Sequence, residues 1–392
     1  MPDEKSTESP PQALQGMRVL ELTHAWAGPL CGMMLADMGA EVIKIEQPDQ
    51  DGESRGGAPY VSGESVIFMM TNRNKKSVAL NLKEPDDHRA FLELVRNADV
   101  LVQNMRPGAL ERLGLGYEDL KVVNPGLIYT SVSGFGRVGP DADVAGVDQI
   151  IVALIGLAAT TMDNTDSLPR TIGAPVCDIM AAMWACQGTL CAYVWRQKTG
   201  VGQRVDASLL EAGLSVLINP IAKHFYTPGY TGLKTPFNGA SEFLLTADKK
   251  YISLFASYPP LWDRLSKALQ SKSISENPRF KTRESRTANA KELATVLAKI
   301  FEDKSSHDWL ELLREAGVPA ARVNTIGEAL QDKQVKASRM LQMQEHPRAG
   351  SIPLLDVPVK LSATPGRIRS PSPALGEHTT EVLNKLRSLR KG

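Results

Sequence analysis

One carboxylate is set where chemistry can be done. The segment Thr171-Ile-Gly-Ala-Pro-Val-Cys-Asp178 runs into an apolar stretch, Ile179 to Trp195, closed by the turn Thr199-Gly-Val-Gly-Gln203. Apolar residues recur there at three- and four-residue spacing (Ile179, Met183, Cys186, Leu190, Val194), and Gly200 stands where a left-handed cap belongs. The spacing predicts a helix with Asp178 at its mouth. Two roles compete for such an Asp. It caps the helix by accepting hydrogen bonds from first-turn amides, or it is a free nucleophile that the helix N-terminus keeps ionised.

The elements that must position it follow a repeating pattern. Met17 to Leu22 reads as a strand, Leu30 to Met38 as a helix and Glu41 to Ile45 as a second strand. The alternation continues with helix Asp86 to Asn97, strand Val100 to Gln103, helix Ala109 to Gly114 and strand Leu127 to Ser131. These segments predict an α/β fold with a Rossmann-like parallel sheet. From about Gly229 to Asn324 the pattern changes. Glu242 to Leu245 and Tyr251 to Phe255 read as paired strands, followed by amphipathic helices at Leu261 to Leu269 and Ala290 to Phe301, a smaller α+β domain. A segment rich in Pro, Ser and Arg, Ser362 to Pro373, precedes a closing helix from Thr379 to Leu389. The expected division is a disordered tail over 1–15, a discontinuous large domain over 16–225 and 326–392, and a small domain over 226–325. Gly134-Phe-Gly-Arg-Val-Gly139 matches the dinucleotide fingerprint, but Pro140 and the acidic residues after it open no apolar helix, so a nicotinamide site is discounted.

Composition narrows the class. With 392 residues and a net charge of +1, the chain is long enough for a large core, and no charge bias points to nucleic acid. Four cysteines without metal-ligand spacing and a polar, Pro-rich N-terminus predict a reduced cytoplasmic protein with no metal. The most apolar stretch, Ile150 to Met162, is too short to span a bilayer and reads as buried core.

Taken in order, further segments make the chain resemble the class III (CaiB/BaiF-type) coenzyme A transferases, the family of formyl-CoA:oxalate and carnitine CoA-transferases. They are Ala27-Gly-Pro29, Leu35 to Glu46, Asn72 to Ser77, Asn104 to Arg112, Asn124-Pro125, Ser133-Gly-Phe-Gly136 with Gly139-Pro140, the Asp178 segment, Thr199 to Gln203, Ala316 to Pro319 and Leu375 to Thr379. No one piece is decisive, and their order and spacing together are specific. The resemblance implies an interlocked homodimer in which each chain forms a ring threaded by its partner. It also implies that coenzyme A and acyl-CoA are substrates, with no permanently bound cofactor. Asp178 would attack the donor thioester, release CoA thiolate and pass through an aspartyl-CoA thioester to a second carboxylic acid. Trp26 and Ala27 fall in the family's pantetheine and adenine segment, while Asn104, Met105 and Arg112 fall in its second CoA segment. Arg112 is the phosphate candidate, against a solvated helix face. Lys75 and Lys76 are weaker ones, since paired lysines are ordinarily surface. Asp148 is a second carboxylate near Asp178 or a turn cap, and Gly136 belongs to the glycines that permit close approach near the thioester.

Three departures bear on the substrate. Gln47 replaces an Arg that contacts CoA in many members. Only Asn238-Gly-Ala240 stands for the glycine-rich lid of the oxalate-using branch. Gly57, shortly after Arg55, replaces a Trp, which argues for an acid larger than oxalate. Arg55, Arg73 and Arg106 are each candidates for a distal carboxylate, which points to succinyl-CoA and a C4 or C5 diacid. Two alternatives remain. An α-methylacyl-CoA racemase would need a His where Ala145-Gly-Val-Asp148 has Val147, and a catalytically silent CoA-binding protein would lack Asp178. The remaining histidines offer no substitute, although His24 lies beside the CoA segment.

Overall fold

The computed structural model describes residues 11–49, 55–162, 164–233 and 243–389. The Asn238-Gly-Ala240 segment and residues 1–10 of the expected tail lie outside the described residues. The chain forms two compact units, residues 1–232 with 339–392 and residues 233–338. The return to the large unit thus comes later than residue 326.

In the large unit, six strands make one parallel sheet in the order β5-β2-β1-β6-β7-β8. They are β1 (Arg18–Leu22), β2 (Glu41–Glu46), β5 (Lys75–Ala79), β6 (Val100–Gln103), β7 (Ile128–Ser133) and β8 (Arg204–Ser208); a short hairpin, β3 (Tyr60–Val61) and β4 (Glu64–Ser65), lies between β2 and β5. The central strands are buried along almost their whole length, on both faces of the sheet. Side-chain alternation sorts them into two layers. Val19, Val42, Val100, Val102 and Ile128 pack under helices Ala27–Asp37 and Val176–Thr199. Leu20, Ile43, Leu101 and Tyr129 pack under helix Pro85–Arg96 and the closing helix Thr379–Leu389. Active sites of such sheets lie beyond the carboxyl ends of the strands, which is where the loops after β1, β6 and β7 converge.

Residues 339–392 complete this unit. They contribute the hairpin β12 (Leu341–His346) and β13 (Gly350–Leu355), and then bonds such as Ser77 Oγ accepting from the Gly376 amide. The other unit holds a three-stranded antiparallel sheet, β9 (Phe243–Leu245), β10 (Tyr251–Leu254) and β11 (Ala320–Arg322), with helices Pro259–Leu269, Ala290–Phe301 and Ser306–Glu315 around Trp262, Phe301 and Trp309. Its buried Arg286 lies 4.4 Å from the Trp262 ring centre and donates to the Ser257 and Phe280 carbonyls.

Four expectations are corrected. Residues 11–15 are not a tail: the Leu14 amide donates to the Met38 carbonyl, and the Gln12 side chain to that of Asp37. Ala109 to Gly114 is a turn holding only a 3-10 segment, Glu111–Leu113, because the positive φ at Gly108 and Gly114 brackets it. The stretch from Ile150 is not uniformly core, since Ile150 and Leu154 face outward while Ile151, Val152 and Leu157 are buried. Arg73 is not open to a substrate: it is 3% exposed, grips Asp37 through Nε and Nη2 and donates to the Leu355 carbonyl.

Removing one partner of a buried ion pair leaves the other charge uncompensated. Arg73→Ala should therefore destabilise the protein by about 3–5 kcal/mol, read as a lower urea midpoint, and Asp37→Leu combined with Arg73→Leu should recover part of the loss. An unchanged midpoint in Arg73→Ala would refute the structural role.

Candidate active site

Helix Val176–Thr199 begins at Pro175, which offers no side-chain cap. Its first-turn amides find their acceptor elsewhere. Asp148 Oδ1 accepts from Cys177 N at 2.6 Å and from Asp178 N at 3.3 Å. Asp148 opens helix Asp148–Leu154, so one carboxylate ties two helix starts together. The capping role open to Asp178 thus belongs to Asp148, and the Asp178 side chain is left facing a cavity.

Its charge is correspondingly costly. Burial, and then the neighbouring Asp148 charge, push the Asp178 carboxyl up from 3.8 to about 7, against the opposing hydrogen bond from the Ala27 amide. The expectation that the helix N-terminus keeps Asp178 ionised is therefore reversed. Desolvation and a like charge work against the ionised form.

Ala27 is the first residue of its helix, so its N–H has no partner within that helix and is free to donate. Buried ions hold it in place. Lys44 Nζ donates to the Thr23 carbonyl at 2.7 Å and Lys75 Nζ to the Pro29 carbonyl at 2.8 Å, while both pair with the fully buried Glu21. Between those anchors, the Asn104 amide grips both backbone groups of His24. A Cβ on Gly28 would come within 2.7 Å of the Thr23 side chain and 2.9 Å of that of Asn104, so only glycine closes this turn.

Asp178 lines a cavity of about 680 Å³ together with His24, Trp26, Ala27, Asn104, Met105, Arg106, Val147 and Asp148. A second, of about 840 Å³, is lined by Gln47, Gly57, Lys83 and Arg112. His24, Ala25, Trp26 and Met105 border both, so the two hollows adjoin. His24 is held below its usual pKa by burial, then by Lys44 and Arg106.

The candidates therefore separate. Asp178, Asp148, Trp26, Ala27, Asn104 and Met105 meet at the first cavity, and Arg112 and Gly57 at the second. Gly136 borders neither; its amide donates to Ser133 Oγ. Close backbone approach falls instead to Gly134, where a Cβ would lie 2.5 Å from the Gly146 Cα. Lys75 is corrected as a phosphate contact, being fully enclosed by Glu21, Asn72 and Pro29. Lys76 pairs with Glu41 and Glu381. Arg55 is corrected as a substrate receptor. It pairs with Glu46 at 3.0 Å, donates to the Pro373 carbonyl at 2.7 Å and stacks 3.9 Å over Phe68. Lys83 escaped the sequence reading, because an exposed lysine in a turn resembles any solvated one. Among the described residues no group of three or more His, Cys, Asp or Glu is arranged to hold a metal ion, and no described helix is long and apolar enough to cross a membrane.

Comparison with known proteins gives consistent matches. The family description CoA-transferase family III matches residues 14–379. The chain is 36% identical, over 98% of its length and 96% of the other's, to succinyl-CoA–D-citramalate CoA-transferase of Chloroflexus aurantiacus. It is 33% identical to human succinyl-CoA:glutarate CoA-transferase, over 95% of this chain and 86% of that one. Among solved structures, a CaiB/BaiF family protein from Brucella suis superposes with a TM-score of 0.83 at 30% identity, over 96% of this chain and 100% of that one.

The raised pKa of Asp178 has a signed consequence. An acid that holds its proton more tightly when folded loses stability as pH climbs from its unfolded value, 3.8, to its folded value, about 7. Asp178→Asn cannot ionise. Its melting temperature relative to wild type, without ligand, should therefore rise between about pH 4 and 7 and level off above; a difference that stays flat across that range would show Asp178 to be unperturbed.

Proposed function

The chain belongs to CoA-transferase family III, and we propose that it moves CoA from succinyl-CoA to a dicarboxylic acid by way of an anhydride on Asp178. The observation that carries this reading is a half-buried carboxylate, titrating near neutrality, whose helix-capping duty another carboxylate has taken over. Once ionised, Asp178 attacks the thioester carbonyl, and the C–S bond breaks to release CoA thiolate. The thiolate then attacks the Asp178 carbonyl, freeing the donor acid and leaving an aspartyl-CoA thioester. The acceptor carboxylate attacks that thioester in turn, and the returning thiolate cleaves the new anhydride on the acceptor side. Each step exchanges one activated acyl bond for another, so no energy input is needed. The Ala27 amide, already aimed at Asp178, is the donor at hand for the developing oxyanion.

The adjoining cavities suit the two ends of the substrate. Lys83 and Arg112 offer cations for CoA phosphates in the second, while the Trp26–Met105 wall between the cavities offers an apolar track for pantetheine. The dicarboxylate class rests on the relatives that act on citramalate and glutarate. Gly57 agrees with it, since added side-chain volume there would meet nothing within 4 Å. The four cysteines are unpaired, which fits a reducing cytoplasm.

We also propose the interlocked homodimer. Helix Val176–Thr199 presents Met183, Trp184 and Trp195 to solvent, and Ile218, Phe225 and Tyr226 on helix Ile218–Tyr226 are more exposed still. So many large apolar groups exposed on two helices mark a contact surface.

Asp178→Ala and Asp178→Asn should cut transfer by roughly 10³-fold or more while retaining CoA binding, and hydroxylamine should convert Asp178 of the acyl-CoA-treated wild type to its hydroxamate, expelling the donor acid or CoA. Near-normal turnover without the carboxylate would eliminate the covalent route. Analytical ultracentrifugation should find a dimer with no folded monomer at nanomolar concentration, as expected of an interface above about 2,000 Å²; a folded monomer there would contradict the interlocked form.

A further inference from the structure

We infer that Arg106 receives the distal carboxylate of the acyl group, and that this contact makes the site select dicarboxylic acids. The inference rests on the transferase reading above and identifies what confers its substrate class. Of the arginines that the sequence offers for this task, Arg55 is locked to Glu46 and Arg73 to Asp37. Arg106 is different. It follows β6 in the loop that also carries Asn104 and Met105, it is exposed, and it lines the Asp178 cavity. Among the described residues its guanidinium has no ion-pair or hydrogen-bond partner; only its carbonyl is engaged, accepting from the Ala109 amide.

The other ionisable groups of that cavity are His24, Asp148 and Asp178. Asp148 is occupied by amides of the long helix, Asp178 is the reacting group, and His24 is held below its usual pKa. Arg106 is thus the one permanently positive side chain among the residues that line this cavity. It stands apart from Lys83 and Arg112, which border the other cavity, so the cations divide into one set for phosphates and one residue for the acyl group. A guanidinium binds a carboxylate through two parallel charge-assisted bonds. An acid with a single carboxylate, once that group has joined CoA or Asp178, has nothing to offer it. Because donor and acceptor acids occupy the same place in turn, Arg106 serves both half-reactions.

The test compares succinyl-CoA with butyryl-CoA as donors, and glutarate with valerate as acceptors, in the wild type, Arg106→Met and Arg106→Lys. Arg106→Met should lower the ratio of kcat/KM for succinyl-CoA over butyryl-CoA by roughly 10- to 100-fold, mainly through KM. The glutarate to valerate ratio should fall in parallel, and Arg106→Lys should retain part of both. An unchanged ratio, whatever the absolute rates, overturns the assignment to Arg106 alone, because a role in holding CoA or the fold would scale both donors equally. A wild type that forms no hydroxylamine-sensitive adduct at Asp178 with either donor would bring down the transferase reading as well, which separates the two failures.

Discussion

Two backbone amides and one carboxylate oxygen decide the character of this site. A helix beginning at Val176 exposes orphan N–H groups, and something must accept from them. Asp148, arriving from the preceding helix, accepts from Cys177 and Asp178. Asp178 is then released from local duty yet held close to a second negative charge, and its affinity for a proton rises. A carboxylate so placed holds its proton more tightly than a free one, at some cost in folded-state stability as pH rises, and perturbed groups of this kind cluster at functional sites.

The opposite wall depends on charges buried where no substrate reaches. Glu21, Lys44 and Lys75 come from the neighbouring strands β1, β2 and β5, and Lys44 and Lys75 hold the carbonyls on either side of the turn that presents Ala27. Burial alone would raise the Glu21 carboxyl, but the two ammonium groups outweigh it and hold it below its usual value. Lys75 falls to about 8 through burial and still carries its charge at neutral pH. Such a cluster is a poor source of stability compared with an apolar core. What it provides is donors at fixed positions, and the backbone that faces Asp178 is set by them. Gly32 packs so tightly here that a Cβ would fall 1.8 Å from the Glu21 carboxylate.

Much of this was legible beforehand. Short apolar runs and the period-3.6 pattern found β1, β2, β6 and β7 and the closing helix almost to the residue, because strands buried on both faces and amphipathic helices leave strong local signals. The Asp178 helix was legible for the same reason, as was its left-handed end, where Gly200 has φ 76°. The segment from Ala109 failed because a short turn between two glycines carries helix-like composition without room for a helix.

The sequence by itself determined which residue types were available: a carboxylate at a helix start, an Asn-Met-Arg loop, lysines and arginines in plenty. Only the tertiary structure decided which of them were already occupied. Lys75, Arg55 and Arg73 look as reactive on paper as Arg106, yet each is already occupied: Lys75 by Glu21, 54 residues off, Arg73 by Asp37, 36 residues off, and Arg55 by Glu46 and by the Pro373 carbonyl, 318 residues off. Likewise the cap of the Asp178 helix comes from 29 residues upstream. Local pattern reports propensity and burial face, whereas pairing between buried charges is set by strand order and helix placement. For a site built from charged groups, that pairing decides which of them are left to meet a substrate.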